Sequence, residues 1–294
     1  MRELLLNTIP TGKATIPIGK QAVAPISNNI LPNNTFGFAY TKGSNTGYVV
    51  GGRTNSTASR RIIKIDLTTN ELTPDYDLPA DLNIDTVSSA MVDNVIYCYA
   101  GWAFFKYDTV SRTLTRYPNF TEVPYATTPG QMEGSYNGKI YKCNKVGTNN
   151  FNILEYDTVT NTHSIFKNVN GLTNIGLYVA SMIVGNMLYI TDPQMGSNVC
   201  RVNLDTKAVN LSPIPTPLNG TASSLAASST RLFVFSDTTP VVSLSLNSPY
   251  TALPETPLIN KRFLTGVFTK DGYMKSYIGT TSGTNDYLSY GIGE

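Results

Sequence analysis

Apolar residues along this chain fall in short runs, or alternate with polar ones, over stretches of four to eight positions separated by Gly, Asn, Asp, Thr and Pro. Period-two alternation with turn residues at its ends predicts β-strands joined by tight turns, and no segment shows the recurrence of an amphipathic helix. Asp93-Asn94, Asn137-Gly138, Gly185-Asn186 and Asp271-Gly272 each lie between two apolar strands. A two-residue turn there needs positive φ, which Gly, Asn and Asp tolerate best. Hairpins are predicted over 88–101, 134–146, 180–192 and 266–279, with another at 226–237.

A second hairpin type recurs after the first. RIIKIDLTTNELT (61–73), FFKYDTVSRTLTRY (104–117), NILEYDTVTNTHSIF (152–166), VCRVNLDTKAVNLS (199–212) and VVSLSLNSPYTAL (241–253) each read as a strand, a tight polar turn and a return strand. YLSYGIGE (287–294) is a sixth copy that stops where its return strand should begin. With Asp66, Asp108, Asp157, Asn203, Ser245 and Ser289 as equivalent positions, the steps are 42, 49, 46, 42 and 44 residues. The segment 36–52 supplies the opening hairpin of the first unit.

Six units of four antiparallel strands predict an all-β, six-bladed β-propeller occupying 1–294 as one domain, with the blades over 36–294. The last unit lacks a fourth strand, and an open sheet edge invites aggregation unless it is covered. RELLLNTIP resembles the fourth-strand segment ELTPDYDLP (71–79). Residues 1–9 are therefore expected to close the ring against the C-terminal blade, and Pro-containing 10–35 to form an extended arm or long loop.

The residues also resemble the kelch family, whose blades carry a Gly-Gly doublet after the second strand and a Tyr-Asp-x-x-Thr-like turn after the third. Gly51-Gly52 keeps the doublet and Ala100-Gly101 nearly does, while Tyr107-Asp108-Thr109 and Tyr156-Asp157-Thr158 keep the turn. Units four to six lack the doublet, and the family's fourth-strand aromatic is replaced by Thr115, Ser164 or Val209. The resemblance implies a divergent kelch-like propeller.

In such a blade the first-to-second and third-to-fourth turns share one face, and here they are short. The other face collects the long, irregular connections, where binding residues concentrate. Arg53, Arg60 and Arg61 cluster in the first unit's second-to-third connection, and Trp102, the single Trp, occupies the matching place in the second. Arg and Trp anchor interfaces more often than other residues. The competing reading is that Trp102 packs between blades and the arginines form solvated ion pairs. Tyr125, Gln131, Tyr178, Gln194 and Met195 fall in later loops and could extend a partner-binding surface.

Composition narrows the partners. The 294 residues are 41% hydrophobic and 14% charged, with 22 Lys and Arg against 20 Asp and Glu. A net charge of +2 is too small for the basic footprint of a nucleic-acid binder. Asn7 and Pro10 interrupt MRELLLNTIP, and the longest apolar run, 95–105, is too short to span a bilayer as a helix. No signal peptide and no membrane insertion are expected. Cys98, Cys143 and Cys200, an odd and scattered set, fit synthesis in a reducing cytoplasm.

Candidate chemistry is sparse. His163 is the single histidine, so neither a multi-histidine metal site nor a Ser-His-Asp triad has a second imidazole to use. It is expected as an exposed edge-strand residue. Cys98 and Cys143 lie one residue out of register in equivalent strands, so their side chains should point to opposite blade faces. Asp66, Asp108 and Asp157 read as turn-capping residues. Glu122, Glu133, Asp192 and Asp237 lie on the loop-rich side without a motif joining them. No catalytic residue, metal or cofactor is assigned.

These features point to a non-catalytic structural or docking protein. The weakly charged, Asn-, Thr- and Tyr-rich composition without a secretory leader resembles bacteriophage virion proteins of the tail, baseplate, collar or fibre attachment. That resemblance implies a chain made in the host cytoplasm, located in the virion, and bound to other virion proteins. The alternatives are a propeller binding cell-surface glycan or a host receptor, and a carboxylate-dependent glycan hydrolase or lyase.

Overall fold

Alternating strands and left-handed turns close into a ring in a computed structural model. It describes residues 17–292 other than 26–29, 33–35, 55–56, 83, 85–86, 102, 118–131, 147–148, 171–178, 193–194, 196–197, 215–222, 237–240, 248–251, 257–263, 272 and 279–285. The chain is an all-β propeller of six four-stranded antiparallel blades. Strand β1 (Gln21–Pro25) precedes blade one, built from β2 (Gly37–Tyr40), β3 (Thr46–Val50), β6 (Arg61–Asp66) and β7 (Leu72–Asp77). Between β3 and β6 a small separate hairpin, β4 (Arg53–Thr54) and β5 (Thr57–Ala58), is inserted.

Blade two comprises β8 (Val87–Val92), β9 (Val95–Ala100), β10 (Ala103–Asp108) and β11 (Thr113–Tyr117). Blade three has β12 (Met132–Glu133), β13 (Lys139–Lys145), β14 (Phe151–Asp157) and β15 (Thr162–Val169). Blade four runs through β16 (Ala180–Val184), β17 (Met187–Thr191), β18 (Asn198–Asn203) and β19 (Val209–Pro213). Blade five contains β20 (Ser223–Ala227), β21 (Arg231–Ser236), β22 (Val241–Ser245) and β23 (Ala252–Thr256). Blade six is β24 (Leu264–Lys270), β25 (Tyr273–Ile278) and β26 (Asp286–Gly291), completed by β1.

Closure by an N-terminal strand occurs, but not with the residues expected. Gln21 to Pro25 pair antiparallel with Tyr290 to Asp286, and the other edge of β26 is taken by β25. Gly19 N–H donates to Gly291 O at 3.0 Å and Gly291 N–H to Lys20 O at 2.8 Å, extending the join. The closing strand thus lies inside the segment read as an arm, and 1–9, assigned this role from sequence, fall outside the described residues. The likeness of RELLLNTIP to ELTPDYDLP was the misleading signal, because a short edge strand is chosen by the ladder it completes. Pro25 ends the strand, where its missing N–H is tolerated.

The core lies between blades, because each sheet has two apolar faces. In every second strand one residue set faces forward: Tyr48, Tyr97, Tyr141, Tyr189 and Phe233 each join a cluster with the following blade. Tyr48 packs with Ile96 and Cys98, and Tyr141 packs with Leu188 and Ile190. Tyr277 closes the circle by packing against Val49 and Ile63 of blade one. Burying one such large side chain contributes about 1.5–3 kcal/mol, so the seams hold the ring together.

Turn chemistry repeats with the blades. Asp93, Asn137, Gly185 and Asp271 all have positive φ at the predicted hairpins. In the third-to-fourth turns the Oδ1 atoms of Asp66, Asp108, Asp157 and Asn203 each accept two backbone N–H bonds at 2.7–3.0 Å. Four residues on, Asn70, Arg112, Asn161 and Lys207 all adopt positive φ.

Blade three departs from the pattern at its inner strand. Tyr136 and Lys139 exchange two backbone bonds at 2.9 and 3.0 Å. Gly134, at φ 94°, then turns the chain away. Met132–Glu133 consequently pairs in parallel with Ser181–Met182 of blade four, leaving β13 bound to β14 on its outer side.

Candidate functional site

On the loop-rich face, the first blade's second-to-third connection is the most structured of those described. Gly51 and Gly52 leave β3 with φ of 60° and 99°. Gly51 N–H donates to Arg61 O, Gly52 N–H to Ile84 O, and Ser59 N–H to Gly52 O at 2.7 Å. This fastens the base of the β4–β5 hairpin to blade one and to the connection leading into blade two. The doublet has a steric reason: a Cβ on Gly51 would lie 2.8 Å from Val87 Cγ2 and 3.0 Å from Ile84 O.

The three arginines of the sequence reading divide. Arg53 begins the hairpin and is exposed. Arg61 Nε lies 3.4 Å from Asp77 Oδ1 in an exposed cross-strand pair, an interaction worth about 0–1 kcal/mol. Arg60 is half-buried, and its Nη1 donates to Pro79 O at 3.1 Å and Leu82 O at 3.0 Å. It holds the blade-one-to-blade-two connection, a structural role.

Trp102, Tyr125, Gln131, Tyr178 and Gln194 lie outside the described residues. Met195 is 3% exposed and packs with Cys143, Ile190 and Cys200. It is a core residue at the base of its loop, a correction that alternation could not supply because the loop is irregular. Glu122 and Asp237 are outside the described residues, as is the side chain of Glu133, while Asp192 is fully buried. Among the described residues, no group of three or more His, Cys, Asp and Glu is placed to hold a metal.

A second polar constellation, which sequence reasoning did not assemble, fills the seam between blades two and three. His163 is half-buried there, correcting the exposed position expected. Its ring stands directly opposite Tyr156 across the β14–β15 ladder and meets the Phe104 ring edge-on at 4.7 Å between centroids. Tyr99 Oη lies 2.9 Å from His163 Nε2. Burial lowers the imidazole pKa to about 4, favouring the neutral ring. The neighbouring Tyr117 and Tyr156 hydroxyls both donate to Asn161 Oδ1 at 2.9 Å.

Beside this pair sits Lys142, 6% exposed on β13, its Nζ 4.9 Å from the centroid of the Tyr99 ring. Burial lowers its pKa to about 8. Lys142 is the fourth residue of its blade's second strand, and the fourth residues of the other second strands are Val49, Cys98, Ile190, Val234 and Ser276, all 0% exposed. Lysine thus occupies a core position. Asn144, two residues on, and Asn152, its cross-strand partner, are also buried on the same face. The signal was present in KIYKCNK, where a lysine and an asparagine stand at inward positions. Only the alignment of blades shows which positions face inward.

The cysteines follow expectation. Cys98 packs toward blade one and Cys143 toward blade four, beside Cys200. All three are free and buried, and burial pushes their thiols up, suppressing the nucleophilic thiolate.

No protein-family description matches this chain, and no curated protein matches its sequence. Its fold does match known structures. One, titled "Structure of YjhT", superposes with a TM-score of 0.67 over 90% of this chain and 95% of that one, at 12% identity. That likeness establishes the six-bladed propeller, an architecture that hosts many unrelated activities.

Proposed function

We propose that this chain is a non-catalytic docking propeller, a divergent kelch-like relative acting as a bacteriophage virion component through protein–protein contacts on its loop-rich face. The observation that carries this reading is the β4–β5 hairpin. It is a folded insertion, clamped at its base by Gly51, Gly52 and Ser59, that carries exposed Arg53 and is followed by exposed Arg61 at the start of β6. A preordered element costs little entropy on binding, and arginine is favoured at interface centres. The groups most suited to acid-base work support the same view, being engaged in structure. The repeat carboxylates cap turns, His163 is bonded into a seam, and Lys139 Nζ pairs with Glu155 Oε1 at 2.7 Å.

The test is co-sedimentation of the chain with assembled particles from its native source, quantified by mass spectrometry. A fixed copy number per particle is expected, and a combined Arg53→Glu and Arg61→Glu variant should fall off the particle while melting like the parent. Absence from every particle would overturn the virion role.

A further inference from the structure

We infer that Lys142, together with Asn144 and Asn152, forms a binding site for the carboxylate of a small, flat organic anion in the seam between blades two and three. The proposal is independent of docking through the loop-rich face, since these residues are buried inside the ring.

Three observations carry it. Lys142 is a cation at a position where the other five blades bury Val, Cys, Ile, Val and Ser. Among the described residues it has no hydrogen-bond or ion-pair partner; its one polar contact is the face of Tyr99. A ring face offsets only part of the desolvation of an ammonium. Second, Asn144 and Asn152 stand on the same face of β13 and β14, 0% and 8% exposed. Their side-chain amides can donate to the oxygens of a carboxylate held by the ammonium.

Third, the blade-three ladder is interrupted beside this face. Gly134 turns β12 out of the blade-three sheet and onto β16, so the inner edge of β13 between Tyr141 and Lys145 carries no paired strand among the described residues. A Cβ at Gly134 would lie 3.1 Å from Ile183 Cβ, so glycine is needed for this departure on both counts. The Tyr99 ring beside the Lys142 amine itself packs against the Phe104 ring, with centroids 4.8 Å apart. An aromatic surface next to the amine suits a planar, partly apolar anion.

The titratable groups of this seam, with the neighbouring Cys143, agree with the sign. They are Tyr97 and Tyr99 from β9, Tyr156 from β14, His163 from β15 and Cys143 from β13. All of these favour the neutral state in this setting or, for His163, lack charge near neutral pH. Binding of a carboxylate should therefore favour the ammonium and be coupled to proton uptake by Lys142.

The experiment uses the full chain labelled with 13C at lysine Cε, whose chemical shift follows the charge of each amine, with Lys142→Met identifying the signal. Titration without ligand, with benzoate and with inorganic phosphate gives three curves. Benzoate is expected to move the Lys142 midpoint upward by about one pH unit, equivalent to tenfold tighter binding to the protonated form, and phosphate to move it little. Asn144→Leu should abolish the benzoate shift. An unchanged midpoint in benzoate would make Lys142 a packed core residue and overturn the site. An equal response to phosphate would overturn the carboxylate preference. Should Lys142→Met fail to fold, Lys142→Arg assigns the signal and the wild-type titrations still decide.

Discussion

The hydroxyl of Tyr99 in blade two lies 2.9 Å from Nε2 of His163 in blade three, tying adjacent blades through the protein's single imidazole. Because the folded imidazole has its pKa depressed from 6.5 to about 4, the unfolded chain binds the extra proton between those values. The stabilisation from the neutral ring is therefore complete above about pH 6.5 and is lost as pH falls toward 4. Midpoints of chemical denaturation should decline over that window more steeply in the parent than in His163→Phe. His163→Ala should cost about 1–3 kcal/mol at neutral pH by leaving the Tyr99 hydroxyl buried without this partner.

Lys142 acts in the same sense at higher pH. Its pKa falls from 10.5 to about 8 on folding, so its charge opposes folding in full below about pH 8, and that penalty is relieved as pH rises through 10.5. Lys142→Met fills similar volume without a charge and should raise stability at pH 7 by about 1–3 kcal/mol. Thermal melting checks this; a fall in Tm would show that the ammonium is stabilised by its surroundings.

Close approach between blades one and two depends on glycine. A Cβ at Gly37 would sit 2.6 Å from Ser89 Oγ and 2.8 Å from Val87 Cγ1, and Gly51 combines positive φ with contact to Val87 and Ile84. Gly37→Ala and Gly51→Ala should each destabilise by about 1–3 kcal/mol. Substitution at Gly43, where positive φ meets open space, should cost less.

Closure by β1 predicts a sharp boundary in a truncation series. Removing residues 1–9 leaves all five β1–β26 pairs intact and should shift Tm by little. Removing residues 1–25 deletes those pairs and bares the β26 edge, and should lower Tm by at least about 5 °C and promote self-association. Equal melting of the two truncations would contradict the closure seen here.

Arg60 and its neighbours separate structure from docking. Arg60→Ala loses two charge-assisted bonds to Pro79 and Leu82 carbonyls and should cost about 1–3 kcal/mol. Arg53→Glu should leave stability within error, as an exposed hairpin residue does.

Much of this architecture is local and therefore legible along the chain. Turn residues such as Asp93, Asn137 and Gly185 announce positive φ, and Asp108 and Asp157 cap their turns through bonds spanning two or three residues. Strand alternation follows from one face packing on each neighbouring blade, so six repeats read directly as six blades. What needed the folded ring was every relation between blades. Gln21–Pro25 shows no likeness to the other fourth strands, and only the edge of β26 selects it. Met195 looks like a loop residue until its side chain is seen among Cys143 and Ile190. His163 and Lys142 lie on polar-looking strands, yet adjacent-blade partners far off in sequence withdraw them from water. Local hydrogen bonding is encoded within a few residues and so can be read from them, whereas burial of one blade's face depends on a surface contributed some forty residues away.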